Sequence, residues 1–453
     1  MQVFNRHVSV RGMTVFGFEA LLIAGSIFIA AIVQGSPDSG ISARVLLATA
    51  LYVLCFYYND LYDLTLVDSQ GELLVRILQA TGAGAIALAV ISLVTPSLII
   101  GPGIFLTSLA LTLIAVPTWR WIFNGLTRDS HLEERLLIVG TGKSAQALSR
   151  HLGRQRNFAY RLVGFVDDGA VSAEERPREM LGGITDLARV IAEHHIDRVV
   201  VSLTDRRGRL PIEALLRAKL SGVRVEDATT TYERLTGKIL IDDLKPSWLI
   251  FSDGFQASRL TRAVKRTLDL ALAVLGLIFA APLMVLTAVA VKLGSRGPIL
   301  YWQERVGEHG RVFTLCKFRS MRTDAEDGTP VWACDGDERV TGVGRFIRVT
   351  RLDELPQLWN VLRGDMSFVG PRPERPFFVQ QLATAIPFYM ERHVAKPGIT
   401  GWAQVKYRYG ASIEDAMEKL RYDLYYIKHM SVFFDLTIVL DTVKVIILGK
   451  GAQ

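Results

Sequence analysis

The sequence predicts a protein of three parts: a membrane block of α-helices, an α/β middle domain, and an α-rich C-terminal domain with a membrane helix of its own. The 453-residue chain is 50% hydrophobic, and residues 14–118 hold few of its charges. Residues 130–255 alternate between strand-like and helix-like patterns, whereas the section after them opens with a long apolar run and continues as a basic, folded sequence. We therefore place the three domains at residues 1–125, 130–255 and 262–453.

Four apolar runs in the first part fit helices that cross a bilayer, because a hydrocarbon core of roughly 30 Å needs about 20 residues. We place them at Thr14–Val33, Arg44–Tyr58, Ile77–Pro96 and Gly101–Trp119. The basic residues that flank the block and its middle loop are Arg6, Arg11, Arg76 and Arg120. The other two loops have none, so by the positive-inside rule both ends of the block face the cytoplasm. Four such runs in one block favour membrane helices over the buried helices of a soluble core.

The middle domain begins with an apolar strand that runs into a glycine turn and a helix, over Arg135–Ala145. Further strands are predicted at Arg161–Val166 and Arg198–Leu203, and strands that alternate with helices indicate a parallel, Rossmann-like sheet. The turn at residues 140–145 can present backbone N–H groups to a phosphate, although alanine replaces its third glycine. Nucleotide binding and a degenerate or regulatory module both stay open. A P-loop is excluded, because Leu137 stands where its first glycine is required.

The C-terminal part opens with an apolar run, Leu268–Leu293, that Pro282 interrupts. Basic residues flank it on both sides: Arg259, Arg262, Lys265 and Arg266 before it, and Lys292, Arg296, Arg305 and Arg311 after it. A single crossing would therefore violate the positive-inside bias. Each half holds about 12–14 residues, or roughly 18–21 Å, which is too short to cross alone. We expect a re-entrant helix–break–helix hairpin with its break at Pro282, because proline removes a backbone hydrogen bond.

Residues 301–376 hold eleven arginines among glycines and short apolar stretches. A solvated basic face or a patch on anionic lipid would account for them. A diphosphate substrate is a sharper explanation, because guanidinium groups bind phosphate oxygens in bidentate fashion. The net charge of +7 comes with no zinc-finger, helix-turn-helix or RNP-like pattern, so we do not expect nucleic acid as a partner.

Asp353 and Glu354 lie at the centre of this section, just before Pro356. Proline is tolerated in a first helical turn, so we expect a helix to begin near Asp353, with this aspartate as its N-cap. Capping alone would explain the acidic pair. In a basic cleft, a carboxylate that faces a phosphoryl group also suits nucleophilic catalysis through an acyl phosphate.

Several segments together resemble the bacterial sugar transferase family, the monotopic phosphoglycosyl transferases. They are Lys317–Met321, Arg351–Leu362, Gly364–Pro373 and Lys396–Val405, in the family's order. The resemblance covers about residues 265–449, and the ending Tyr422–Lys428 looks like the large, polytopic branch that initiates exopolysaccharide synthesis. The four-helix block and the Rossmann-like, CoA-binding-like domain match that branch as well. Two departures are visible: Arg351 stands where many relatives carry Ser or Thr, and Ala281 precedes Pro282 where Ser is common.

The resemblance implies a ping-pong transfer of a hexose-1-phosphate from a UDP-sugar to undecaprenyl phosphate, with glucose or galactose as the expected sugar. Asp353 would attack the sugar-bound β-phosphate, Glu354 would assist with metal or proton handling, and both would hold the Mg²⁺ that the family implies. The residues matched to substrate phosphate contacts are Arg319, Arg372, Lys317 and Gln404. The resemblance also implies a homodimer and a multi-pass protein of the bacterial inner membrane, with its catalytic domain in the cytoplasm.

Two other functions fit the domain layout. A membrane-anchored sugar-nucleotide dehydratase or epimerase also joins membrane helices to a Rossmann domain, but it normally needs a Tyr-x-x-x-Lys pair, and no tyrosine here has lysine four residues later. A non-catalytic assembly or regulatory protein of polysaccharide export would retain a dead transferase domain. The intact Asp353-Glu354 pair argues against that second alternative. The sugar, the ligand of the Rossmann-like domain and the polymer stay open.

Overall fold

The structure is a computed structural model that describes most of the chain. The described residues are 2–3, 6–7, 10–35, 41–59, 61–62, 70–95, 101–128, 134–154, 160–168, 179–203, 210–242, 244, 246–252, 254–255, 257–323, 325, 337–407, 410 and 412–447. They form two compact units, one over His7–Ala228 and the other from Thr229 onward. The first unit holds the helical block and the α/β domain, and the second holds the C-terminal domain.

Four long helices form the N-terminal block, after two short strands, β1 (Gln2–Val3) and β2 (Arg6–His7). They are α1 (Val10–Val33), α2 (Ile41–Tyr58), α3 (Gln70–Val94) and α4 (Pro102–Arg128), which confirms the four predicted helices. Pro96, the predicted end of the third run, lies outside the described residues. Helices α1, α3 and α4 are long and apolar enough to cross a membrane, and α2 has a shorter apolar stretch. Outward-facing side chains such as Leu21, Leu46 and Ile86 are exposed and apolar, as contact with lipid requires.

A buried ion pair joins the first and last helices of this block. Arg120 donates to the carboxylate of Glu19 and, at 2.7 Å, to the carbonyl oxygen of Leu61. The prediction that Arg120 follows the fourth membrane helix is wrong, because α4 continues through it to Arg128. A charge inside a membrane block is costly unless it is paired. Arg120 therefore stabilises the helix packing and does not mark a cytoplasmic loop.

The α/β domain is built on a five-stranded parallel sheet, which confirms the predicted sheet. The strands are β3 (Glu134–Val139), β4 (Tyr160–Val166), β5 (Met180–Gly182), β6 (Arg198–Val201) and β7 (Arg224–Asp227), in the spatial order β5-β4-β3-β6-β7. The helices among them are α5 (Lys143–Arg154), α6 (Leu187–Glu193) and α7 (Ile212–Leu220). The strand order reverses between β3 and β6, the kind of switch point at which such sheets bind ligands.

The glycine turn after β3 lies at this switch point. Gly140 has a φ of 101°, and a Cβ there would lie 2.5 Å from the carbonyl oxygen of Ser202, so only glycine fits. Asp167, at the end of β4, accepts hydrogen bonds from the backbone N–H and the hydroxyl of Thr141 at 2.9 and 2.5 Å. The carboxylate of Asp167 therefore uses a backbone donor of the turn that a ligand phosphate would otherwise use.

In the second unit, helices surround two pairs of short strands. The helices are α8 (Ala228–Thr236), which leads into the unit, α9 (Pro246–Phe251), α10 (Arg259–Gly294), α11 (Gly342–Val349), α12 (Gln357–Arg363), α13 (Pro376–Ala385), α14 (Trp402–Lys406), α15 (Ile413–Lys428) and α16 (Val432–Ile447). The strands are β8 (Leu300–Val306) and β9 (Val312–Phe318), which are antiparallel, and β10 (Ser367–Val369) and β11 (Gly398–Thr400), which are parallel.

The core of this unit includes a segment that precedes the membrane helix α10. Ile239 and Ile241 are buried in the same cluster as side chains of α13, α15 and α16. The backbone N–H of Ile239 donates to the carbonyl oxygen of Arg421 at 3.0 Å. The compact unit therefore begins upstream of residue 262, where the sequence analysis placed the start of the domain.

Helix α10 is continuous over 36 residues, with Pro282 inside it, so the chain has no loop at the predicted break. A straight helix of this length would span about 54 Å, and α10 is apolar enough to cross a membrane. Its middle is only partly covered by protein: no side chain between Ala273 and Thr287 is buried, and Phe279 is 79% exposed, although Leu277 and Met284 pack against the core.

The two ends of α10, in contrast, both contact the rest of the second unit. Near its beginning, Arg266 donates to the carbonyl oxygens of residues 361 and 362, at the end of α12, at 2.7 and 2.9 Å. Near its end, Val291 is buried in one cluster with Phe318 and Ile347. The apolar middle of α10 thus lies between two segments that are anchored to the same folded unit.

Candidate active site

Asp353 and Glu354 lie in a short 3-10 turn, Leu352–Glu354, and not in the first turn of an α-helix. Arg351 starts the turn in the left-handed region, with a φ of 56°. The expected helix start near Asp353 is wrong: α12 begins at Gln357. Pro356 has no N–H to donate to the carbonyl four residues back, so the chain uses i→i+3 hydrogen bonds until α12 begins.

Asn360 fixes α12 against the β8–β9 hairpin. Its side chain is fully buried, accepts a hydrogen bond from the N–H of Cys316 at 3.0 Å, and donates to the carbonyl oxygen of Thr314 at 2.8 Å. Asn360 is not among the residues predicted from the sequence, although a polar residue within an apolar helical run is a signal that could have indicated it. The 3-10 turn that carries Asp353 is therefore continuous with a helix whose position is set by a buried amide.

Asp353 is buried, and burial raises the pKa of its carboxyl group to about 6. The neighbouring Glu354 contributes to this increase, while Lys317, Arg372 and Arg348 act in the opposite direction. A buried carboxylate held among cations is a competent nucleophile once it is ionised, because little water has to be removed from it.

Glu354 is the member of the pair with the lower pKa. Arg372 donates from Nη2 to its Oε1 at 2.8 Å, and Arg351 Nη1 lies 4.0 Å from its Oε2. Burial alone would raise the pKa of Glu354, but these two arginines together with Lys317 bring it below its ordinary value. The arginine that departs from the family pattern thus lies beside Glu354.

Lys317 points from β9 toward the same pair. It lies opposite Tyr301 of β8 in the antiparallel register, with Nζ 5.2 Å from the centroid of the tyrosine ring. The pKa of Lys317 is lowered to about 8, mainly by burial and also by Arg305, while Asp353 acts against that decrease. The structure therefore brings four predicted site residues together: Asp353, Glu354, Arg372 and Lys317.

Arg319 and Gln404 have other partners. The guanidinium of Arg319 donates to the carbonyl oxygens of Ser295 and Arg296, just after α10, at 2.8 and 2.6 Å. Gln404, on α14, donates to the carbonyl oxygen of Ile399 at 3.2 Å, and its buried Oε1 has no hydrogen-bond partner among the described residues. The contacts of Arg319 stabilise the end of the membrane helix, and those of Gln404 fix it beside β11.

Comparison with known proteins gives two family matches. The model of the family described as bacterial sugar transferase matches residues 260–449, and the model described as CoA-binding domain matches residues 58–216. The first match includes all but the first residue of α10 and all the site residues above. The second includes most of the parallel sheet.

Three curated relatives show how far the similarity extends along the chain. The UDP-N-acetylgalactosamine-undecaprenyl-phosphate N-acetylgalactosaminephosphotransferase of Aeromonas hydrophila is 44% identical over 53% of this chain and 56% of its own length. The undecaprenyl-phosphate glucose phosphotransferase of Komagataeibacter xylinus is 34% identical over 73% of this chain and 62% of its own. The UDP-glucose:undecaprenyl-phosphate glucose-1-phosphate transferase of Xanthomonas campestris pv. campestris is 32% identical over 77% and 74%. The chain thus spans less than two thirds of the first two relatives and about three quarters of the third, and it belongs to the bacterial sugar transferase family.

Proposed function

We propose that this protein transfers a hexose-1-phosphate from a UDP-sugar to undecaprenyl phosphate and so initiates exopolysaccharide synthesis. The observation that carries the proposal is a buried carboxylate, Asp353, that lies beside Glu354 among Lys317, Arg372 and Arg348. The names of the three relatives agree on the acceptor and differ in the sugar. Glucose or galactose is our expectation for the donor, and the N-acetylgalactosamine relative adds a third sugar to test.

The transfer would take place as two displacements at one phosphorus atom. In the first, an oxygen of Asp353 forms a bond to the β-phosphorus of the UDP-sugar, and the bond from that phosphorus to the bridging oxygen breaks, so that UMP leaves. In the second, a phosphate oxygen of undecaprenyl phosphate attacks the same phosphorus and releases the carboxylate of Asp353. Lys317 and Arg372 offset the negative charge that gathers on the phosphate oxygens in both steps.

The donor set suits Mg²⁺. Within the part of the chain that the structure describes, no group of three or more His, Cys, Asp or Glu side chains could enclose a metal. Mg²⁺ does not need such a cage, because it is commonly held by one or two carboxylates together with substrate phosphates. Asp353 and Glu354 are adjacent carboxylates of this kind, and a bound Mg²⁺ would neutralise part of the diphosphate charge.

The contacts of α10 support a re-entrant membrane helix, which would have to bend around Pro282 because no loop interrupts it. A helix that crossed the bilayer would place its ends on opposite sides, about 30 Å apart. Here Arg266 near one end and Val291 near the other both pack on the same folded unit, while the apolar stretch around Pro282 is largely exposed. We place that stretch in the inner leaflet of the bacterial inner membrane and the active site on the cytoplasmic face, where nucleotide-sugars are made. A homodimer, expected from the family resemblance, is tested by light scattering of the detergent-solubilised protein.

The experiment measures UMP release by detergent-solubilised protein with Mg²⁺ and a panel of UDP-sugars, with and without undecaprenyl phosphate. A covalent first step predicts a burst of UMP, equal to the amount of enzyme, when the acceptor is left out. Asp353→Asn should abolish the burst and the turnover, whereas Glu304→Gln, which neutralises an exposed carboxylate on β8, should change neither. Turnover that survives Asp353→Asn would refute the covalent mechanism. Folded protein that releases no UMP with any UDP-sugar would refute the proposed donor class.

A further inference from the structure

Arg372 lies in a loop whose backbone has few donors of its own. The loop runs from Gly370 to Glu374 between β10 and α13, and Pro371 and Pro373 flank the arginine. Proline has no N–H, so the loop cannot be held by donating backbone hydrogen bonds at those two positions. The carbonyl oxygens of the loop can still accept hydrogen bonds from donors outside it.

Those donors are present for four consecutive carbonyl oxygens, at residues 371–374. Two are backbone N–H groups: that of Gly398 donates to the first carbonyl at 3.0 Å, and that of Val306 to the fourth at 2.9 Å. The other two are guanidinium groups: Arg392 Nη2 donates to the carbonyl of residue 372 at 3.0 Å, and Arg305 Nη1 to that of residue 373 at 2.9 Å. Donors from three segments distant in the sequence therefore hold the backbone on either side of the side chain that contacts Glu354.

Each guanidinium is itself oriented by a second partner. Arg392 is buried and donates to Asp423 from Nε and Nη2 at 3.1 and 2.7 Å. Arg305 donates from Nε and Nη2 to Oε1 of Gln303 at 3.1 and 2.6 Å, and its Nη1 lies 3.5 Å from a carboxylate oxygen of Glu374. A guanidinium with a fixed plane can direct its remaining N–H groups, which a flexible ammonium cannot do.

We propose that Arg305 and Arg392 are positioning residues for the transfer, which hold the Arg372 loop so that the guanidinium of Arg372 meets both Glu354 and the diphosphate of the substrate. This inference rests on the proposed function, because it assumes that Arg372 contacts the transferring phosphate. A displacement of about 1 Å in such a contact can cost on the order of 100-fold in rate. Arg305 is the better residue to test, since its side chain retains 18% exposure and its removal leaves no fully buried carboxylate unpaired.

The test is a double-mutant cycle on UMP release by the full-length protein, with Arg305→Gln, Arg372→Ala and both together. We expect Arg305→Gln to lower kcat/KM for the UDP-sugar by about 10- to 100-fold. In the Arg372→Ala background the same change should cost less than about 3-fold, because a residue that acts through Arg372 has nothing left to position. Arg311→Gln, an exposed arginine of the same hairpin, is the matched control and should leave kcat/KM unchanged.

Arg305→Lys gives a second test with a milder change. Lysine can still donate to the carbonyl of residue 373, but it cannot also make the two hydrogen bonds that Arg305 donates to Oε1 of Gln303. We therefore expect kcat/KM to be partly restored relative to Arg305→Gln. Losses that multiply in the double variant, or a kcat/KM within about 2-fold of wild type for Arg305→Gln, would overturn the inference while leaving the proposed function intact. A wild-type protein that is folded but releases no UMP would overturn the proposed function, and the inference with it.

Discussion

Replacing Asp423 by Asn should destabilise the catalytic unit by about 3 to 5 kcal/mol, because it leaves the charge of Arg392 buried and unpaired. The side chain of Asp423 is 2% exposed, and the side chain of its partner Arg392 is 6% exposed. Burial raises the pKa of Asp423, and Arg392 only partly opposes that effect. The ion pair as a whole therefore contributes little net stability, and the expected cost comes from the charge that the substitution leaves behind.

The measurement is thermal unfolding of the detergent-solubilised protein, followed by intrinsic tryptophan fluorescence. For a unit of this size, each kcal/mol shifts the midpoint by about 2–4 °C, so Asp423→Asn should lower it by about 6 to 20 °C. Arg363→Gln is the matched control, because Arg363 is 55% exposed and forms a solvent-accessible ion pair, with Nε 3.4 Å from Oδ2 of Asp365. Its expected cost is about 0–1 kcal/mol.

A replacement of both partners tests whether the unpaired charge of Arg392 causes the loss of stability. If the unpaired charge is the cause, Arg392→Met combined with Asp423→Leu should unfold closer to wild type than Asp423→Asn does, since both charges are gone. A double variant at least as unstable as the single one would refute the reasoning. So would a shift for Asp423→Asn no larger than that of Arg363→Gln.

Three further predictions concern the site itself. The kcat/KM for the UDP-sugar should rise with pH through about 6, because Asp353 loses its proton and becomes a nucleophile. It should fall above about 8, because Lys317 loses the charge that binds phosphate. A profile that is flat from pH 5 to 7 would contradict the assignment of Asp353. Asn360→Leu should lower the free energy of unfolding by about 2–5 kcal/mol, because it leaves a backbone N–H and a C=O of β9 buried without partners. A loss below about 1 kcal/mol in thermal unfolding would show that β9 does not depend on this amide. Removal of Mg²⁺ with a chelator should abolish UMP release and its restoration should recover it, and turnover that persists without the metal would exclude a role for it.

The parts of the fold that the sequence predicts well are those that local patterns determine. The membrane helices follow from runs of apolar residues, and the first strand, turn and helix of the α/β domain follow from an apolar run that ends at Gly140. The start of α12 was misplaced by a few residues for a local reason as well: Pro356 was allowed into a first helical turn, but its missing N–H turned the preceding residues into a 3-10 turn.

The roles of individual arginines could not be predicted, because the sequence gives them the same chemistry and only tertiary contacts distinguish them. Arg319 has the motif position of a phosphate contact, yet it donates to carbonyls at the end of α10. Arg305, which the sequence analysis used only as a basic flank of the membrane run, donates to the loop of Arg372. Arg392 was not considered at all, and its partner Asp423 is 31 residues away. Which carbonyl or carboxylate a guanidinium reaches depends on how distant elements pack.

The charge pattern around Asp353 also bears on why the transfer would proceed in two steps. Four cations, Lys317, Arg348, Arg351 and Arg372, act on the two carboxylates, so among the described residues the site has an excess of positive charge. A diphosphate brings the negative charge that this excess attracts, and so does the phosphate of a lipid acceptor. Because the described cations converge on one carboxylate pair, UMP would have to leave, in the proposed reaction, before the acceptor phosphate could occupy the same groups. A covalent link to Asp353 would keep the sugar phosphate in place during that exchange, which is the physical advantage of a ping-pong route at a site of this kind.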